Sequence, residues 1–227
     1  MDRSVKEALR DSLKILPGYF VLGIGFGVLL KANGFGTLYA AAMSIFIYAG
    51  SMQYAAIDLL HSGASLISCF LMTVMVNIRH LFYGLGMREK YQKLKRHRIY
   101  DIFALTDETF SLVCSRDMTG LDPERYYFLL SLLNHLYWIT GCVTGSLFGD
   151  ILPFDTEGIE FSMTALFLVI VLSQWEKTKD HTSVLMTVAI SILCILIFGR
   201  ERFLLPGMIG VVVMLEILRR TKGEGDA

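Results

Sequence analysis

"GASLISCFLMTVMVNIRHLFYGLG", residues 63–86, begins as an uncharged, largely apolar run. As a helix it is long enough to cross a hydrocarbon layer of about 30 Å. Yet its second half carries Asn77, Arg79 and His80. On an unbroken helix Asn77 and His80 share a face, whereas Arg79 lies about 200° from Asn77. The three would then not converge. Two readings stay open. In one, Arg79 snorkels to the membrane interface near Arg88 and Asn77 hydrogen-bonds a neighbouring helix. In the other, the helix unwinds, and Arg79 with freed backbone groups lines a cavity that receives a carboxylate.

The rest of the chain has the same oily character. Of 227 residues, 54% are hydrophobic and 19% charged, and the mean hydropathy of +0.53 is too high for a soluble domain of this size. Formal net charge is zero, which argues against a nucleic-acid partner, because phosphate binding needs a basic excess. Cys69, Cys114, Cys142 and Cys194 are scattered, with no C-x-x-C pair, so they read as packing thiols and no metal or cofactor is expected. No H-E-x-x-H or G-x-S-x-G occurs, which argues against a membrane-embedded enzyme. "GIGFG", residues 23–27, lacks the spacing and the preceding strand of a nucleotide loop. Gly23 and Gly27 instead form a small-x-x-x-small seam. The same glycine-rich stretch is easily bent, so backbone around Gly25 is a candidate substrate-facing surface.

Apolar runs fall at about 16–32, 37–60, 63–86, 126–148, 182–199 and 203–218, with shorter or more polar ones at 99–115 and 161–175. Residues 1–14 read as a cytoplasmic amphipathic segment, 15–218 as one transmembrane domain, and 219–227 as a cytoplasmic tail. The loop 88–98 has six Lys or Arg against one acid, whereas 150–160 has four acids and no base. The positive-inside rule puts the basic loop and both termini in the cytoplasm. Three runs precede that loop and five follow it, and both counts are odd. One run in each half is therefore expected to be broken, re-entrant or doubled. The suspects are "FIYAGSMQYAA" (46–56) and "IYDIFALTDETFSL" (99–112). The expectation is an all-α polytopic membrane helix bundle of about 6–8 segments with at least one broken or re-entrant helix. Two related halves are a hypothesis that no residue-level repeat supports.

Gly50, Ser51 and Gln53 interrupt the second run. Asp107 and Glu108 are the other costly groups, and a buried carboxylate is a natural proton carrier. Asp101 and Glu108, seven apart, would share a face of one helix. Asn134 and His135 start a long span and could pair with these acids. The candidates are thus Gly25, Gly50, Ser51, Gln53, Asn77, Arg79 and His80 for a translocation pathway, and Asp107, Glu108 and His135 for proton coupling.

Five motifs, "PGYFVLGIGFGVLL" (17–30), "YAGSMQYAAIDLL" (48–60), "NIRHLFYGL" (77–85), "TDETF" (106–110) and "GIEFSMTALFLVIVL" (158–172), resemble the AzlC family of branched-chain amino acid permeases. The resemblance implies an inner-membrane exporter of leucine, isoleucine, valine and sometimes methionine. It also implies coupling to an ion gradient and a small, separately encoded AzlD-type membrane partner. The competing reading is a membrane scaffold or regulatory subunit that moves nothing itself.

Overall fold

The computed structural model describes residues 2–114, 116–149, 181–199 and 209–214, together with 168, 172, 175, 203, 206 and 207. They belong to two compact units, 1–170 and 171–227. Among the described residues the secondary structure is helical throughout.

In the first unit α1 spans Arg3–Ala32, so the amphipathic segment and the first apolar run are one helix that continues through Pro17. Asp2 opens it by accepting from the Ser4 amide. Asn33 and Gly34 close it, with Gly34 at φ +86°, where a side chain would be strained. Helix α8, Pro123–Phe148, starts with Pro at the first helical position under an Asp122 cap. Its middle packs face to face with α1. A Cβ added at Gly27 would overlap the Cys142 carbonyl and the Ser146 amide, and one at Gly145 would overlap backbone of Ile24. One at Gly141 would stand 2.8 Å from the Phe20 carbonyl. The seam read at Gly23 and Gly27 is therefore real, and Gly141 and Gly145 are its other half.

The intervening runs are broken. Residues 37–60 divide into α2, Thr37–Phe46, and α3, Gly50–His61. Tyr48 ends α2 at φ +43°, a conformation that costs a non-glycine residue about 1–3 kcal/mol. Its ring stacks on His135 of α8 at 4.1 Å, which helps to hold it there. The opening stretch divides at Ile78 into α4, Leu66–Asn77, and α5, Arg79–Tyr91, bent by 47°. Residues 98–114 divide into α6, Arg98–Phe103, and α7, Asp107–Cys114. Both suspected segments are thus interrupted, and the opening stretch is a third. The α6–α7 break also corrects the expectation that Asp101 and Glu108 share one helical face: they lie on separate helices.

At the basic end, charged groups fasten α1 to the segment before α8. Arg116 bonds Glu7 (2.5 Å) and Asp11 (3.2 Å), and Tyr126 donates to Asp11 (2.9 Å). Arg125 pairs with Asp2 at 2.8 Å. Elsewhere the surface is apolar: α4 buries no residue, and Leu66 is 88% and Phe70 66% exposed. Faces of this kind suit lipid rather than water.

In the second unit α9 spans Thr182–Phe198 and buries only Cys194 among its residues. Residues 206, 207 and 209–214 are helical, and Trp175 stacks on His181 at 3.8 Å. Among the described helices α1 alone is long and apolar enough to cross a membrane, or two spans if α4 and α5 count as one bent crossing. The acidic loop 150–160, the motif 158–172 (apart from Leu168 and Leu172) and the tail 219–227 lie outside the described residues.

Candidate functional site

The three breaks meet. A cavity of about 50 Å³ is lined by Ala49, Gly50 and Ser51 from the α2–α3 break, Arg79 and His80 from the α4–α5 bend, and Thr106, Asp107 and Glu108 from the α6–α7 break. Tyr19 and Leu22 of α1, Tyr54 of α3 and Trp138 of α8 complete its wall.

Arg79 sits at the centre. Its Nη1 pairs with Asp107 Oδ2 at 2.7 Å, and its Nη2 donates to Ser51 Oγ at 2.9 Å. Its Nε is buried without a partner. One guanidinium thus ties three discontinuous helices together and keeps a donor uncommitted. Asp107 and Glu108 occupy the first turn of α7, where the helix dipole favours negative charge. Thr106 caps that turn by accepting from the Thr109 amide (3.3 Å), while Lys90 donates to the Val113 and Cys114 carbonyls at the other end (2.7 and 2.8 Å). Glu108 is buried and accepts from the Tyr19 hydroxyl at 2.6 Å, and that hydroxyl also lies 2.5 Å from Thr106 Oγ1. Helix α3 starts at Gly50 with no side-chain cap, and Ala49, Gly50 and Ser51 at that end line the cavity; a helix amino terminus is an end suited to anions.

The apolar wall is fixed by aromatic contacts. Trp138 donates to Gln53 Oε1 at 2.8 Å and meets Tyr19 edge-on at 5.6 Å. Gly50 lets it approach, since a Cβ there would stand 3.2 Å from the indole. Tyr54 donates to the Leu22 carbonyl at 2.7 Å, joining α3 to α1.

Of the residues singled out from the sequence, Gly50, Ser51, Arg79, His80, Asp107 and Glu108 come together in the lining. Gln53 is fully buried behind Trp138, with its Nε2 unpartnered. Asn77 lines a different crevice, which His80 shares, and Gly25 is buried in α1 away from the cavity. His135 does not pair with the acids. Its Nε2 lies 3.0 Å from the Ser44 carbonyl and its Nδ1 3.0 Å from the Tyr100 hydroxyl. A carbonyl only accepts, so Nε2 carries the proton and Nδ1 of the neutral ring accepts from Tyr100. Asn134 bonds Thr109 (3.1 Å), again not an acid. Tyr19, Leu22, Tyr54 and Trp138 were not singled out, because aromatic and aliphatic residues on long apolar helices carry no mark that separates lining from core.

Interrupted helices converge on a largely buried arginine–carboxylate pair inside an all-α bundle with exposed apolar faces, an arrangement that membrane proteins with discontinuous helices use. A family model described as AzlC protein matches residues 14–152. The branched-chain amino acid transport protein AzlC of Bacillus subtilis is 37% identical over 95% of this chain and 85% of its own length. An uncharacterized membrane protein of Haemophilus influenzae is 44% identical over 97% and 91%. The inner membrane protein YgaZ of Escherichia coli is 26% identical over 77% and 74%. The chain belongs to the AzlC family. No solved structure matches it.

Proposed function

We propose that the protein is a secondary transporter subunit that exports branched-chain amino acids, leucine, isoleucine, valine and also methionine, across the cytoplasmic membrane. It works with a small AzlD-type partner and draws on an ion gradient. The name of the Bacillus subtilis relative supports the cargo class, and that of the Escherichia coli relative supports the inner membrane. The excess of Lys and Arg in the loop 88–98 and the bases of the amino terminus support a cytoplasmic side for both.

The observation that carries the reading is the Arg79 cluster between three broken helices. An aliphatic zwitterion needs a donor for its carboxylate, an acceptor for its ammonium and an apolar wall for its side chain. Arg79 and the uncapped start of α3 are the donors, Asp107 is the acceptor, and Leu22, Tyr54 and Trp138 are the wall. Substrate binding exchanges the internal Arg79–Asp107 pair for two pairs to the ligand, so the empty and loaded states both keep the charges compensated. Glu108, beside the pair and held by Tyr19, is the proton-coupling carboxylate of the pocket. His135 acts through structure, because both ring nitrogens are committed.

Cells that make the chain and its partner, loaded with a valine-containing dipeptide, are expected to expel valine faster than cells with either protein alone. Arg79→Ala should reach the membrane at normal abundance and lose that gain. Efflux of the Arg79→Ala variant at the full rate would remove the carboxylate role, and absence of efflux with both intact proteins would remove the exporter reading.

A further inference from the structure

A second carboxylate lies outside the pocket. Asp101 on α6 is fully buried, and neither of its oxygens has a hydrogen-bond partner. The exposed face of the same short helix is apolar, with Ile99 86% and Ile102 52% exposed, so Asp101 is turned inward. The Ser131 hydroxyl of α8 stands against it and is itself buried and unpartnered. The Tyr91 hydroxyl at the end of α5, also buried and unpartnered, is within its electrostatic reach. The other titratable groups that act on it are the Tyr100 phenol on its own helix and Glu124 in the first turn of α8, a charge of the same sign. Among the described residues no cation pairs with it.

With no cation beside it and no hydrogen bond made to either oxygen, an ionised carboxylate here is poorly compensated for its lost water, whereas the acid form carries its own donor and can bond either neighbouring hydroxyl. We infer that Asp101 is a second proton-binding site, protonated in this state and separate from Glu108. Tyr91 lines a crevice of about 420 Å³ on the side of Arg88 and Arg98, the face from which a proton would reach Asp101 past the buried Tyr91 hydroxyl. On the inner side Asn134 lies one turn along α8 from Ser131, with no hydrogen bond between the two side chains. From Asn134 a hydrogen-bonded row runs to Thr109 (3.1 Å), to Thr106 (3.2 Å from Thr109), and to Tyr19 and Glu108 of the pocket. Asp101 and Asp107 also flank the same α6–α7 break, so a movement at residues 104–106 that re-exposes one shifts the other. The inference rests on the exporter reading for its consequence, coupling, and on the burial and the missing partners of Asp101 for the protonation.

Everted membrane vesicles containing the full chain and its small partner give the test. Asp101→Asn is expected to abolish valine accumulation driven by a pH gradient while valine counterflow persists, and Asp101→Glu should restore accumulation. Independently, the purified full-length protein at neutral pH should show an infrared carbonyl band of a protonated carboxylic acid that Asp101→Asn removes. Accumulation by Asp101→Asn at the wild-type rate would overturn the coupling role, as would wild-type accumulation that follows sodium and ignores pH. If Asp101→Asn loses counterflow as well, the infrared band decides: its loss supports the site, and its persistence overturns it. A wild type that moves no valine would sink the exporter reading, and the band would still decide protonation of Asp101.

Discussion

Arg79 is held by groups from two other elements, Asp107 on α7 and Ser51 on α3, and this cross-bracing is what makes a charged side chain tolerable in an apolar bundle. Both charges are mostly but not wholly shielded, with 23% and 13% of their side chains exposed. Removing one partner should therefore cost less than the 3–5 kcal/mol of a fully buried pair. Asp107→Ala is expected to destabilise the detergent-solubilised protein by about 1–3 kcal/mol, and the double variant Arg79→Ala with Asp107→Ala by less than the sum of the singles. Additive losses in thermal unfolding would show that the two charges do not act on each other. At this scale much of the site was legible: an arginine, two acids and a Gly-Ser pair in oil are expensive, and expense marks them. Tyr19 and Trp138 were not legible, because their role comes from the direction in which α1 and α8 turn them. The pairing of His135 with the acids, one possibility open from the sequence, is not made, since a buried histidine is satisfied by whichever oxygens lie near, here Tyr100 and Ser44.

The helices fall into two kinds. Helices α1 and α8 are long and continuous and approach to backbone contact along the Gly23, Gly27, Gly141 and Gly145 seam. Helices α2 to α7 are short pieces of longer apolar runs. The rigid pair is the platform against which the broken ones present their ends. Gly27→Ala is predicted to lower stability by more than about 2 kcal/mol, because its Cβ meets backbone that cannot move aside. Gly84→Ala, inside α5 with nothing within 4 Å of the added carbon, should be neutral or stabilising by up to about 1 kcal/mol. Melting temperatures in one detergent compare the two, and equal losses would contradict the seam. The breaks at 47–49 and 104–106 could be anticipated from polar residues and an odd number of crossings. The bend at Ile78 was open to either reading, since no glycine or proline marks it. The shared face drawn for Asp101 and Glu108 depended on an unbroken helix, and three residues of non-helical chain were enough to undo it.

For the whole molecule the decisive quantity is the size of the cavity. About 50 Å³ holds a few water molecules, far less than the roughly 300 Å³ or more of a site for a small ligand. A branched-chain amino acid is therefore expected to need the helix ends around Arg79 to separate. Such an opening would fall on the short, interrupted pieces and leave the α1–α8 seam intact. What the sequence could not supply is this convergence: three breaks far apart in the chain become one chamber only through tertiary packing. We expect them to form a water-accessible chamber that takes the substrate. Single cysteines at Ser51 and Thr106, with Cys69, Cys114, Cys142 and Cys194 replaced, in membranes that also hold the partner, probe it. A membrane-impermeant maleimide should label both, valine or leucine should slow both, and a cysteine at Phe70, on the exposed apolar face of α4, should stay unlabelled. Unreactive cysteines at 51 and 106 from both sides of the membrane, in protein that still transports, would contradict the account.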